Sequence, residues 1–175
     1  MRFVKSLRVR GCYPDCMPNS SKFTTLLAAA LVLAASLASA ATLQNGDPLP
    51  ALPLKDQHAK SLQVPADTRI IFFAAEMGPS KLMSKALEAL PPTALRDGKA
   101  LYIADISSMP GPISAMIAMP RLQKLPYAVA VVKDAQESAA LPRKEGAVTV
   151  LKIEAGRIKA IDYASTAEQV EAYLK

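Results

Sequence analysis

The stretch that decides the fold is residues 69–90, RIIFFAAEMGPSKLMSKALEAL. It opens with a short apolar run, residues 69–75, whose Ile and Phe content is typical of a buried central strand. After the turn at residues 76–80, apolar side chains recur at helical spacing as far as Leu90. Pro79 suits the first helical position, and Pro91 with Pro92 stops the helix, so we predict a helix that begins at Pro79.

The rest of the chain continues an alternation of strands and helices. We predict an N-terminal β-hairpin over residues 52–62, strands at 100–106 and 127–132, a proline-interrupted helical stretch at 109–124, a hairpin of 147–153 with 157–163, and a closing helix at 166–174 capped by Ser165 or Thr166. This order predicts an α/β fold with one mixed central sheet flanked by helices.

The first forty residues have the pattern of a secretory signal. Lys22 precedes an apolar run at residues 24–37, and Ala38-Ser39-Ala40 is a small-x-small cleavage site. The run is shorter than the ~20 residues that span a bilayer, so a cleaved signal is favoured over a retained anchor. We therefore expect a signal peptide at 1–40, with Met17 as an alternative start, a domain at 41–175 and no membrane association after cleavage.

Cleavage after Ala40 changes the chemistry available to the protein. Cys12 and Cys16 are its only cysteines, and both lie in the predicted signal, so residues 41–175 contain no thiol. The signal also holds five of the 21 basic and one of the 15 acidic residues, which leaves 16 and 14. These charges are interspersed and aromatic residues are few, so nucleic acid is not an expected partner.

The segment at 69–90 resembles the active-site segment of thioredoxins, in which an apolar strand runs into W-C-G-P-C-K and a helix. The opening GDPLPALPLKDQHAKSL (46–62) and the tail AVTVLKIEAGRIKAIDYASTAEQVEAYL (147–174) resemble the corresponding parts of periplasmic thioredoxin-like and peroxiredoxin-like proteins. Together these features most resemble the YtfJ-type family of exported bacterial thioredoxin-like proteins, which has no assigned activity. The resemblance implies a thioredoxin-like fold and a periplasmic location.

The resemblance also implies that the active-site turn has lost its thiols. Gly78 and Pro79 are kept, whereas Glu76 stands at the tryptophan position, Met77 at the nucleophilic cysteine and Ser80 at the resolving cysteine. Ala147 occupies the position of the family's cis-proline, and we expect it to be trans because a non-proline cis bond costs about 3 kcal/mol. A methionine thioether does not ionise, so neither thiol-disulfide oxidoreductase nor thiol peroxidase activity is expected.

Other chemistries have weaker signals. Ser80 would need an adjacent base to act as a nucleophile, and nothing in the sequence places the only histidine, His58, near it. Thioether sulfur selects Cu(I), which makes Met77, Met109, Met116 and Met119 candidate ligands, although methionine more often fills gaps in a core. No glycine-rich dinucleotide motif or His/Cys zinc grouping is present, so we expect no cofactor.

The sequence leaves three functional hypotheses open. The first is a module without enzymatic activity that binds a protein or small ligand in the periplasm through the turn at 76–80. The second is an enzyme with non-thiol chemistry centred on Glu76 and Ser80. The third is weak binding of Cu(I) by methionines.

Overall fold

A computed structural model describes residues 42–175. The predicted signal peptide, its cleavage site, the alternative start and both cysteines lie outside the described residues. The seven strands of the described part are β1 (Leu54–Asp56), β2 (Ser61–Leu62), β3 (Ile70–Ala74), β4 (Ala100–Asp105), β5 (Ala130–Val132), β6 (Val148–Glu154) and β7 (Arg157–Ala164). The helices are α1 (Met77–Glu88), α2 (Ala94–Asp97), α3 (Gly111–Ile113), a π-helical turn (Ser114–Ala118), α4 (Met119–Gln123) and α5 (Ala167–Ala172). Within this part of the chain, no helix is both long and apolar enough to cross a membrane.

All seven strands form one mixed sheet in the order β2-β1-β5-β4-β3-β6-β7. The central pairs β3–β4 and β4–β5 are parallel, and the other pairs are antiparallel. The parallel strands β5, β4 and β3 therefore lie at the centre of the sheet, with the N-terminal hairpin β1–β2 on one side and the closing hairpin β6–β7 on the other. This arrangement confirms the predicted α/β class, with helices packed against a mixed sheet.

The central strand β3 separates two apolar layers. Because successive side chains of a strand point to opposite faces, Phe72 packs with α1 and α5, whereas Ile71 and Phe73 pack on the other side. The described helices contribute only to the Phe72 layer. The opposite layer is closed by the extended N-terminal segment at 43–64 and by Leu141.

The helix after β3 begins earlier than predicted. It starts at Met77, two residues before Pro79, and ends at Glu88 rather than Leu90. The first N–H groups of a helix have no intrahelical partner, so a proline is accommodated at the third helical position as well as at the first. The helical spacing predicts that Leu82, Ala86, Leu87 and Leu90 pack against the sheet; Ala86 and Leu87 are buried, whereas Leu82 and Leu90 are half-buried.

Two further elements differ from the sequence prediction. The strand predicted at 127–132 begins only at Ala130, because the Gln57 side chain bonds to the main chain before it. Gln57 Nε2 donates to the Tyr127 carbonyl at 2.8 Å, and the Val129 N–H donates to Gln57 Oε1 at 2.9 Å. The short helix α2 was not predicted, because four residues are too few to show a helical period.

The chain's last two elements follow their local sequence signals. Ala155 and Gly156 form the β6–β7 turn with φ of 50° and 73°, the pair of positive values that a tight hairpin turn uses. Thr166 is the N-cap of α5, and its hydroxyl accepts a hydrogen bond from the Gln169 N–H at 3.3 Å. The predicted cap and closing hairpin are thereby confirmed.

Candidate functional site

The segment at 76–80 lies at the carboxyl end of β3, where the chain turns directly into α1. Glu76 is the N-cap with an extended backbone (φ −143°, ψ 170°), and its side chain makes no capping hydrogen bond. Met77 is the first helical residue and is 51% exposed. Pro79 is buried beneath this turn. The turn therefore presents a thioether and a free carboxylate to solvent.

Ser80 is held by main-chain rather than catalytic contacts. Its hydroxyl donates to the Glu76 carbonyl oxygen at 2.9 Å, and its N–H donates to the same oxygen at 3.1 Å. The Glu76 carboxylate takes no part in either bond. Ser80 Oγ thus closes the first turn of α1, which is a common local role for serine near a helix start.

The ionisable side chain against Ser80 is the phenol of Tyr102, on β4. Burial raises the pKa of this phenol well above its usual value, and the contact with Ser80 offsets that rise only in part. Tyr102 is therefore neutral at physiological pH and cannot accept the Ser80 proton. This geometry does not activate Ser80 as a nucleophile.

A cleft of about 140 Å³ opens between the start of α1 and the helical segment at 111–123, which comprises α3, the π-helical turn and α4. Its floor is formed by Ala104 and Ile106, at the end of β4. The other residues that line it are Met77, Ser80, Lys81, Ser84, Met109, Ile113, Ile117, Ala118, Arg121 and Leu122. The cleft is thus mostly apolar, and its two charged side chains, Lys81 and Arg121, are both basic.

The candidate methionines are only partly brought together. Met77 and Met109 share the lining of this cleft. Met116 is 79% exposed, and neither it nor Met119 is among the cleft residues. The cleft therefore unites two of the four thioethers that the sequence suggested.

Of the two remaining sequence candidates, Ala147 lies near the turn at 76–80 and His58 does not. The register that pairs Phe73 with Thr149 continues to place Ala147 level with Ala75, next to the turn. Ala147 directly precedes β6, which neighbours β3, and it is buried. Within the described residues no peptide bond is cis, so Ala147 is trans as expected. His58 is exposed in the β1–β2 turn, where its N–H donates to the Asp56 carboxylate. That turn faces the amino-terminal end of β5, whereas residues 76–80 follow the carboxyl end of β3.

A buried ionic network, which the sequence analysis did not identify, lies at the end of β4. Asp105 Oδ2 accepts from Arg143 Nη2 at 2.9 Å and from Ser138 Oγ at 2.7 Å, while Oδ1 accepts from the Ser107 N–H at 2.8 Å. Arg143 also lies over the Phe73 ring, 5.5 Å from its centre. A buried strand ending in aspartate signals a paired carboxylate, but the partners lie more than thirty residues away, in a loop without a pattern.

A second, larger groove of about 600 Å³ lies on the opposite layer, between the proline-rich segment at 49–55 and residues 61–68. Lys55 is the only charged residue among the described residues that line it. This groove does not include residues 76–80.

Comparison with solved structures decides the fold. A peroxiredoxin-like protein from Aquifex aeolicus superimposes with a TM-score of 0.51 at 12% identity, over 76% of this chain and 86% of its own. Peroxidoxin BcpB from Mycobacterium tuberculosis does so with a TM-score of 0.50 at 14% identity, over 75% and 96%. The fold is thioredoxin-like.

At these identities the likeness extends to the fold and carries no activity across. Neither a protein-family model nor a curated protein sequence matches this chain. Strand β3 runs through residues 75 and 76 directly into α1. The correspondence of this unit to the active-site segment of thioredoxins stays a prediction.

Gly78 is a position at which this thioredoxin-like helix start is open to substitution. A Cβ added there meets no atom within 4 Å, and its φ is not positive. We expect Gly78→Ala to stabilise the domain by about 0.5 kcal/mol, because alanine loses less backbone entropy on folding. Thermal melts measure the change.

Gly156 supplies the matched control, because its φ of 73° is one that alanine adopts only with strain. Gly156→Ala should destabilise the domain by about 1–2 kcal/mol. If Gly78→Ala is as destabilising as Gly156→Ala, residues 77–80 do not form the regular helical turn described above.

Proposed function

We propose that this chain is the precursor of an exported protein of the YtfJ-type family. In this proposal, the form released by cleavage after Ala40 binds a protein or small ligand in the periplasm. The binding surface is the 76–80 face, which we define as the exposed start of α1 with the adjoining helical segment at 111–123. The mature protein carries out no thiol-disulfide or peroxide chemistry.

The observation that carries this proposal is the composition of the helix start. By the sequence resemblance, Met77 and Ser80 stand at the two positions at which thioredoxins hold cysteines, and residues 41–175 contain no cysteine. The Ser80 hydroxyl donates to a main-chain carbonyl, and the phenol beside it is neutral, so Ser80 is not activated to replace the lost thiolate.

Exposed apolar side chains support binding rather than a merely structural role. Four of the large hydrophobic residues that remain exposed in the described chain belong to the 76–80 face: Met77, Ile113, Met116 and Ile117. Soluble proteins seldom expose apolar side chains in a group, and such groups mark interaction surfaces. Methionine suits them because its flexible side chain adapts to a partner.

The test places a photo-crosslinking amino acid at Met77 or Ile113 of the full chain in a Gram-negative host. We expect discrete adducts in the periplasmic fraction at these two positions, and none when the probe replaces Lys60 or Lys159, which are exposed elsewhere. Intact-mass analysis of the same fraction should give a chain beginning at Ala41.

Two results would contradict the proposal. Equal adduct patterns at all four positions would remove the argument for the 76–80 face. Reproducible reduction of insulin disulfides, or consumption of peroxide with dithiothreitol, by repurified protein would show that the chain is an enzyme.

A further inference from the structure

The cleft beside Met77 is too small for a typical small-molecule site. Ligand pockets usually enclose about 300–1,000 Å³, whereas this cleft holds about 140 Å³. An apolar cavity of about 150 Å³ accommodates a single benzene ring. The cleft therefore has room for one large apolar side chain.

The helical segment at 111–123 forms one wall of the cleft, and its apolar side chains are not fully covered by the rest of the domain. None of the side chains of α3, the π-helical turn or α4 is fully buried, although the segment carries Ile113, Met116, Ile117, Met119 and Leu122. A helix with this many apolar residues ordinarily buries one face. Here the chain itself leaves that face incompletely covered, and the π-helical turn is a feature that recurs at functional sites.

The charge of the cleft distinguishes among apolar partners. Lys81 and Arg121 both line it, and no acidic residue does. Among the ion pairs formed within residues 42–175, none involves either of them. The nearest acidic residue in sequence, Glu76, is exposed outside the cleft lining. An occupant that carries a carboxylate beside its apolar group therefore finds a complementary charge on both walls.

We propose that the cleft binds a protein segment that inserts one large apolar side chain, with an aspartate or glutamate of the same segment placed between Lys81 and Arg121. This inference rests on the proposed function and specifies its partner. The apolar side chain supplies a buried anchor of the kind that dominates protein interfaces, and the two cations select the partner's acidic neighbour.

The experiment selects phage-displayed random 12-residue peptides on immobilised protein of residues 41–175. Enriched peptides are then synthesised, and their affinity is measured by fluorescence anisotropy. We expect a shared pattern of one Leu, Met or Phe within a few positions of an Asp or Glu. The affinity should fall as salt is raised, because the charged contacts lie at an exposed rim.

Three variants separate the contributions. Lys81→Glu with Arg121→Glu should weaken binding about tenfold or more, whereas the control Lys60→Glu with Lys159→Glu should change it less than about twofold. Ala118→Phe fills the cleft and should abolish binding. Ile117→Asp, at a half-exposed rim position, tests the same point if Ala118→Phe lowers the melting temperature.

The outcomes distinguish this inference from the proposed function. Met116 belongs to the 76–80 face but does not line the cleft. If Met116→Asp abolishes peptide binding but the charge reversals and the cleft-filling variants do not weaken it, the cleft is not the anchor site and the 76–80 face still binds. If none of these variants weakens binding, both proposals are wrong. Peptides without an acidic residue, or no enrichment over an empty support, would also overturn the inference.

Discussion

Leu87→Ala should lower the free energy of unfolding by about 2–5 kcal/mol, which is the usual cost of a buried leucine truncation once its cavity is counted. Leu87 is 5% exposed and lies in the layer between α1 and the sheet, with Met83, Phe72 and Val170. The domain at 41–175 has no cysteine with which to form a disulfide, and a typical domain has only about 5–15 kcal/mol of stability in total.

Thermal and urea unfolding of the 41–175 protein measure this change. The control is Ile113→Ala, an apolar truncation at a position 43% exposed, which should change stability by less than about 0.5 kcal/mol. If the two variants have equal unfolding midpoints, α1 does not pack against the sheet through Leu87, and the architecture around the 76–80 turn is wrong.

Arg143→Met should have the second large effect, a destabilisation of about 2–3 kcal/mol. The Asp105 side chain is fully buried, and without the guanidinium its charge retains only the Ser138 hydroxyl and the Ser107 N–H. Breaking a buried ion pair typically costs about 3–5 kcal/mol. We expect a loss at or below the lower end of that range because the Arg143 side chain is 40% exposed. In the variant, water can therefore hydrate part of the Asp105 carboxylate.

Two further variants test whether charge is the cause. Lys133→Met removes an exposed cation from the same loop and should be nearly neutral. Adding Asp105→Asn to Arg143→Met removes the unpaired charge and should restore part of the lost stability. A loss for Arg143→Met no larger than that for Lys133→Met would show that the Asp105–Arg143 bond does not hold this loop.

The elements with long apolar runs could be predicted from the sequence. Strand β3, strand β4, the closing hairpin and the Thr166 cap each depend on neighbouring residues, so local spacing and turn chemistry were sufficient. The start of α1 was misplaced because Pro79 is compatible with more than one position in a first turn. Strand β5 was predicted to begin too early because the Gln57 side chain, far away in sequence, bonds to the main chain of Tyr127 and Val129 just before the strand.

The candidate site was less accessible to sequence reasoning. The segment at 76–80 could be located by its order between strand and helix, but the cleft beside it depends on how the segment at 111–123 packs against α1. Neither hydrophobic periodicity nor a sequence motif encodes how closely these two helical segments pack. The contact between Ser80 and Tyr102 is likewise a product of β4 lying beside β3, and it gives Ser80 a neutral neighbour that no local pattern reveals.

The central claim is that residues 77–80 form a thioredoxin-like active-site turn from which the thiols have been replaced. Met77→Cys with Ser80→Cys tests it directly, because 41–175 contains no other thiol. Both side chains line the same cleft, in a first turn that no preceding helical turn restrains, so a small movement brings the sulfur atoms within bonding distance. Lys81→Cys with Ser84→Cys has the same spacing one turn further along, inside the regular helix, and serves as the control.

The measurement is thiol titration of air-oxidised protein before and after reduction, with the monomer isolated first. We predict that the pair at 77 and 80 titrates only after reduction and forms its disulfide within one chain, while the pair at 81 and 84 titrates freely throughout. Cysteines at 77 and 80 that stay free, or that pair only between chains, would contradict the assignment of this segment as a thioredoxin-like active-site turn.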